Sequence, residues 1–262
     1  MKTIAIINLK GGVGKSVTAC NLAAELAHAH LSVLVVDLDK QANTTKFFER
    51  LDYEASIVGD LLTGDVDDPA EVVTRTGFVG ISLLPCNMRM LRANQRVLID
   101  STVPQQTRLR ASLQKMEQQY SVAILDCPPD LDMGSINALC AADWVIIPVD
   151  CDEWAVDGLD EIVDQMKVLR RYYNPGMQLM GVLMTKYQPT KYARRVSEEV
   201  NLKELPLMHS VIRYTVRVKE AKTEHKPLRE YDRRCTAAHD YKDLAKEVLQ
   251  RLGVSDVDTK ED

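Results

Sequence analysis

Between an apolar stretch, Thr3 to Asn8, and a helix-like stretch, Val17 to Ala29, the chain reads Lys10-Gly11-Gly12-Val13-Gly14-Lys15-Ser16. Three glycines in four positions let the backbone turn tightly and aim successive N–H groups inward, toward the mouth of the helix that follows. A strand, a glycine loop, Lys-Ser and a helix in that order form a phosphate-binding loop, and a strand feeding such a loop commits the chain to an α/β fold. An isolated Gly-Gly-x-Gly would be a surface turn with two solvated lysines; the flanking strand and helix argue against that reading. In the loop Lys15 is expected at the β- and γ-phosphates of a nucleotide and the Ser16 hydroxyl on a magnesium ion. The strict form of the motif has glycine where this chain has Leu9, and in its place a second lysine, Lys10, heads the loop.

The rest of the chain has the pattern that such a loop demands. Short β-branched runs alternate with helical patterns, the sequence form of a mostly parallel, twisted sheet with helices on both faces. Strands are expected at Thr3–Asn8, Ser32–Asp37, Gly80–Leu84, Ser121–Asp126, Trp144–Val149, Gln178–Met184 and Leu207–Ile212; most are almost continuously apolar, as strands covered on both faces must be. Helices are expected at Lys15–Ala29, Gln105–Tyr120, Met133–Ala141, Val156–Tyr172, Arg194–Val200 and Tyr241–Leu252. With 262 residues, 45% of them hydrophobic, the chain is read as one domain over residues 1–254, followed by an acidic tail, 255–262, expected to be disordered.

Six cysteines are scattered with no C-x-x-C pair and read as reduced core residues of a cytoplasmic protein. No run approaches the length of a membrane span, and no secretory leader precedes the first strand. The net charge of −5 is uneven: from Thr185 to Cys235 there are 13 Lys/Arg against 7 Asp/Glu, a local excess of +6. Such an excess is either a solvated face or an electrostatic footprint for a polyanion.

Acidic residues fall at strand ends, where ligands bind in open α/β sheets. The second strand runs out through Asp37-Leu38-Asp39, and alternation turns Asp37 and Asp39 to the same side. The fourth closes an apolar run on Asp126, the Walker B form, whose carboxylate is expected to hold a magnesium-bound water. Pro128 and Pro129 then stiffen the turn that follows.

Taken together, these segments resemble the ParA/MinD superfamily of ATPases, and in particular a small ParA/Soj-type partition ATPase. The resemblance rests on the Lys10-headed loop, the segment Asp37 to Asn43 (family form D-x-D-P-Q-x-N), Walker B, the run Pro148 to Leu159, and Glu220-Ala221 with Lys226-Pro227. It implies ATP and magnesium as ligands, with Gly11, Gly12, Val13, Gly14, Lys15, Ser16 and Val17 around the phosphates. Lys10 would contact the nucleotide of a facing subunit in an ATP-dependent homodimer, Asp39 would position the attacking water, and Asp37 would support the magnesium site. Thr185 and Arg213 are the residues expected near adenine. It further implies slow basal hydrolysis stimulated by a ParB-like protein, and sequence-independent DNA binding through Lys191, Arg194, Arg195, Arg217, Lys219 and Lys222. The protein would then be cytoplasmic, and on the nucleoid when ATP-bound. A first strand at Thr3 leaves no helix-turn-helix domain of the kind that longer plasmid ParA proteins carry ahead of it.

This chain departs from the family pattern at Ser16-Val17 (usually Thr-Thr), Lys40 and Ala42 (usually Pro and Gly) and Asp150 (often Gln). Three other readings share the fold. A MinD-like membrane binder would end in a basic amphipathic helix, whereas this chain ends in Ser255-Asp256-Val257-Asp258-Thr259-Lys260-Glu261-Asp262. An iron–sulfur protein would use cysteines such as Cys127 or Cys151 at a dimer axis. An ATPase that positions a protein cargo would leave no cargo signal in the sequence.

Overall fold

The computed structural model describes residues 1–152, 156 and 158–254. The expected acidic tail, and Glu153, Trp154, Ala155 and Asp157 of the Pro148–Leu159 run, lie outside the described residues. In chain order the elements are β1 (Lys2–Ile6), α1 (Lys15–His28), β2 (Val33–Asp37), α2 (Asn43–Phe47), α3 (Val58–Thr63), a 3-10 turn (Pro69–Glu71), β3 (Thr74–Arg75) and β4 (Ile81–Leu84). Next come α4 (Met90–Ile99), α5 (Arg108–Gln114), β5 (Val122–Asp126), α6 (Met133–Ala141), β6 (Trp144–Asp150), α7 (Leu159–Tyr172) and β7 (Gln178–Thr185). The chain finishes with α8 (Lys191–Leu202), α9 (Arg217–Thr223), α10 (Leu228–Tyr231) and α11 (Thr236–Arg251).

Among the described residues the strands form one sheet in the order β3-β4-β2-β5-β1-β6-β7, parallel except for the short β3 at one edge. Alternation along each strand divides the core into two layers. Ala5, Leu34, Val36 and Leu125 face a layer built from α3 to α8, while Ile4, Ile6, Val33, Val35 and Ile124 face α1, α2 and α9 to α11. Fully buried apolar strands are stable only because both faces are covered.

The expected strand at Leu207–Ile212 is not regular. Met208 N and Ile212 N donate to Val182 and Met184 of β7, but His209 N and Ser210 N between them donate to the carboxylate of Glu247 on α11. Four residues on one side oppose two on the other, so the ladder breaks into isolated bridges. The expected helix Gln105–Tyr120 shortens to Arg108–Gln114, and that from Val156 begins at Leu159, behind the N-cap Gly158 with its left-handed φ of 80°. The short helices α2, α3, α9 and α10, the ten-residue α4 and the two-residue β3 had no expectation in the sequence.

Candidate functional site

Parallel pairing sets the carboxyl ends of β1, β2, β5 and β6 side by side, and the chemical groups gather there. The registers Asp37↔Asp126 and Ile6↔Asp126 place both acids next to the exit of β1, the strand that feeds the glycine loop. Asp37 and Asp126 follow the parity of Val35 and Ile124, toward the α1 side of the sheet.

Asn8 braces the base of the loop: its amide donates to Pro148 O at 2.6 Å and its Oδ1 accepts from Lys10 N at 2.8 Å. Gly12 and Gly14 have φ of 80° and 92°, the left-handed conformation that a side chain resists, so the turn depends on glycine at these two positions. Gly14 is the N-cap of α1 and Val13 is fully buried, while Ser16 and Val17 lie half-exposed on its first turn. The Lys15 ammonium is turned into the loop, donating to Asn8 O (2.9 Å) and Lys10 O (3.1 Å). Burial holds its pKa below the ordinary lysine value, partly offset by the negative field of Asp126. Clefts also lie away from this loop: one of about 580 Å³ is lined by His209, Arg213, Asp240 and Glu247, and one of about 300 Å³ at the amino end of β1 by Met1, Thr3, Arg110 and Asp143.

Asp37 is fully buried and its lone pairs are occupied: Oδ1 accepts from Asp39 N, and Oδ2 accepts from Thr45 N (2.8 Å) and Thr45 Oγ1 (2.7 Å). It therefore organises the loop that carries Asp39. Asp126, also fully buried, accepts from Thr44 Oγ1 at 2.7 Å, while its Oδ1 makes no close hydrogen bond. Burial drives both carboxyls upward; the charge of Asp126 adds to the effect on Asp37, whereas the Ser16 and Thr44 hydroxyls restrain Asp126. A buried carboxylate oxygen that closes no hydrogen bond, on an acid within the influence of the Ser16 hydroxyl, suits a hydrated magnesium ion. Among the described residues no cluster of three or more His, Cys, Asp or Glu forms a self-sufficient metal site. Asp39 is 7% exposed, and its Oδ1 accepts from Gln41 N at 2.8 Å.

The remaining expected residues have other engagements. Thr185, at the end of β7, donates to Val13 O and Val149 O and so clamps the glycine loop to β6. Arg213 is paired with Asp240 of α11, Nη2 to Oδ1 at 2.6 Å. Lys191, Arg194 and Arg195 are exposed on α8, and Arg217, Lys219 and Lys222 are exposed on α9. Those helices bury Val196 and Ala221 in opposite layers, so the basic residues rise from two faces of the sheet. Arg195 pairs with Glu199 and Arg217 with Glu220. Sequence reasoning overlooked Asn8, Thr44 and Thr45. Two threonines one turn beyond an Asp-x-Asp strand exit are the signal that marks the hydroxyl donors.

A glycine loop with a buried Lys15, two buried acids on neighbouring strand ends and a third acid just beyond define a P-loop ATPase of the ParA/MinD class. An AAA domain family model matches residues 1–179. The chain is 36% identical over 251 residues to the sporulation initiation inhibitor protein Soj of Bacillus subtilis, covering 94% of this chain and 98% of that protein. It is 30% identical over 256 residues to the chromosome partitioning protein ParA of Caulobacter vibrioides, covering 96% and 95%. A solved structure of cobyrinic acid a,c-diamide synthase from Mycobacterium smegmatis with bound ADP and magnesium superposes with a TM-score of 0.84 at 28% identity, covering 97% of this chain and 96% of the other. The chain belongs to the Soj/ParA family of partition ATPases.

Proposed function

We propose that this ATPase is a dimerising switch: two ATP-bound subunits close face to face, bind DNA without sequence preference, and separate on hydrolysis to drive partition of a chromosome or plasmid. The observation that carries this reading is the second lysine. Lys10 heads the phosphate loop with its side chain partly exposed, and a lysine so placed suits contact with the nucleotide of a facing subunit.

In this reading Gly11 to Ser16 surround the phosphates with backbone N–H groups, and Lys15 exchanges its two carbonyl partners for phosphate oxygens. Asp39 accepts a hydrogen bond from the attacking water and orients it. Ser16 directly, and Asp126 through water, would hold magnesium, with Asp37 behind them; when bound, the ion neutralises charge on the β- and γ-phosphates. Positioning and charge neutralisation dominate such catalysis, so turnover is slow until a ParB-like partner completes the site. The exposed basic residues of α8 and α9 contact DNA phosphates, Arg217 and Lys219 foremost, and give the salt dependence of a polyelectrolyte contact. The protein then works on the nucleoid in the cytoplasm; among the described residues no helix is long and apolar enough to cross a membrane.

Binding to random-sequence duplex DNA, measured with ATP–magnesium, ADP or no nucleotide across a salt series, tests the reading. Retention that requires ATP, is prolonged by Asp39→Ala, is lost in Lys10→Ala and weakens with salt is expected. Intact nucleotide binding with no DNA retention in any state would overturn the DNA half and point to a membrane or protein cargo.

A further inference from the structure

Lys10 is not free. Its Nζ lies 2.6 Å from both carboxylate oxygens of Asp152 and 3.3 Å from Asp150 Oδ1. Asp150 Oδ2 is in turn 3.3 Å from Lys186 Nζ. The fold enforces this chain of charges: β6 lies between β1 and β7, and Asp150 pairs in register with Thr185, the residue before Lys186. The backbone of Lys10 is fixed as well, its N–H held by Asn8 Oδ1 and its carbonyl accepting from Lys15.

An ammonium has three N–H donors. Two of them go to Asp152 and the third faces the Asp150 carboxylate at 3.3 Å without closing a hydrogen bond, so a phosphate outside the subunit must draw Lys10 away from two negative charges. Burial acts to lower the pKa of Lys10, yet Asp152 and Asp150 outweigh it and hold the group above the ordinary lysine value. Asp150 is 8% exposed, so its share of the attraction is poorly screened. It also stands where the family pattern often has glutamine, which carries no charge.

We propose that Asp150 and Asp152 form an intramolecular latch that holds Lys10 in its own subunit and opposes closure of the ATP-bound dimer. The proposal rests on the sandwich-dimer reading above and assigns its regulation. A facing subunit's triphosphate competes for Lys10 by offering more negative charge than the latch; a diphosphate, lacking the γ-phosphate, competes less well. The latch thereby raises the protein concentration at which dimers form with either nucleotide, so that over a range of concentrations only the tighter ATP-bound dimer closes.

Two measurements on the full chain separate the latch from its consequence. In nucleotide-free protein, acetylation of individual lysines by an amine-reactive acetyl ester is followed by mass spectrometry for wild type, Asp150→Asn, Asp152→Asn and the double variant. Lys10 is expected to react at least about threefold faster in the double variant, the scale of a partly exposed ion pair, with Lys15 unchanged and Asp150→Glu behaving as wild type. Equal Lys10 rates overturn the latch whatever the oligomeric state. Sedimentation with ATP–magnesium then reads dimerisation: the midpoint concentration is expected to fall about three- to tenfold in the double variant. A midpoint unchanged or raised overturns the opposing role. If wild type stays monomeric with ATP while Lys10 labelling still responds, the sandwich-dimer reading fails and the opposing role with it, leaving only the cis contact.

Discussion

Thr45 carries a heavier share of the site than its chemistry suggests, and Thr45→Val tests that claim. The residue is fully buried on α2; its hydroxyl donates to Asp37 Oδ2 at 2.7 Å and accepts from Cys86 N at 2.9 Å. One oxygen thus joins the exits of β2 and β4. Valine keeps the shape and removes both bonds. Above about pH 8, where the Asp37 carboxyl is ionised, losing a hydrogen bond to it costs about 1.5–3 kcal/mol, and a buried amide left without an acceptor costs about 1–3 kcal/mol. The expected loss is therefore about 2.5–6 kcal/mol, which at a slope of about 2–3 kcal/mol per molar urea shifts the unfolding midpoint down by roughly 1–3 M. Thr45→Ser keeps the hydroxyl and removes one methyl, for a loss of about 1 kcal/mol. Urea titration followed by circular dichroism compares the three proteins. A valine variant within about 1 kcal/mol of wild type, or no worse than the serine variant, would refute the reasoning.

Ala42 has φ 53° and ψ 41° at the start of α2. Left-handed alanine costs about 1–2 kcal/mol, against about 0.5–1 kcal/mol for the added chain entropy of glycine, so Ala42→Gly is expected to raise stability by about 0.5–1 kcal/mol in the same titration; a destabilised variant would contradict that conformation. The Asp37 carboxyl is held above the ordinary carboxylate range by burial and by Asp126. Without magnesium the folded state therefore keeps a proton that the unfolded chain has lost. The stability this proton provides is full below the ordinary carboxylate pKa and drains away as pH rises through the raised value. Melting temperature of metal-free protein between about pH 5.5 and 8.5 is expected to fall more steeply for wild type than for Asp37→Asn; parallel profiles would show that Asp37 is not the group responsible.

Much of the fold was legible because buried parallel strands must be apolar throughout and amphipathic helices must repeat. Seven expected strands gave six in place, and the seventh failed at Leu207–Ile212 through Glu247, a residue 35 or more positions further on that takes two of its amides. The helices missed were mostly those shorter than two turns, whose stability comes from tertiary contacts, as with Leu228 of α10, whose N–H donates to Asn21 of α1.

The sequence by itself determined the phosphate loop, the three acids and the family, because glycines at left-handed positions and acids at strand exits are local requirements. What the tertiary structure decided is which charges meet. Sheet order brings β6 between β1 and β7, and only that adjacency sets Asp150 between Lys10 and Lys186 and turns Thr185 onto the glycine loop, while α11, packed beside the segment beyond β7, ties Arg213 to Asp240. Side-chain partnerships between residues 27 to 172 positions apart leave no periodic trace in a chain, since they depend on which strand lies beside which and in what register.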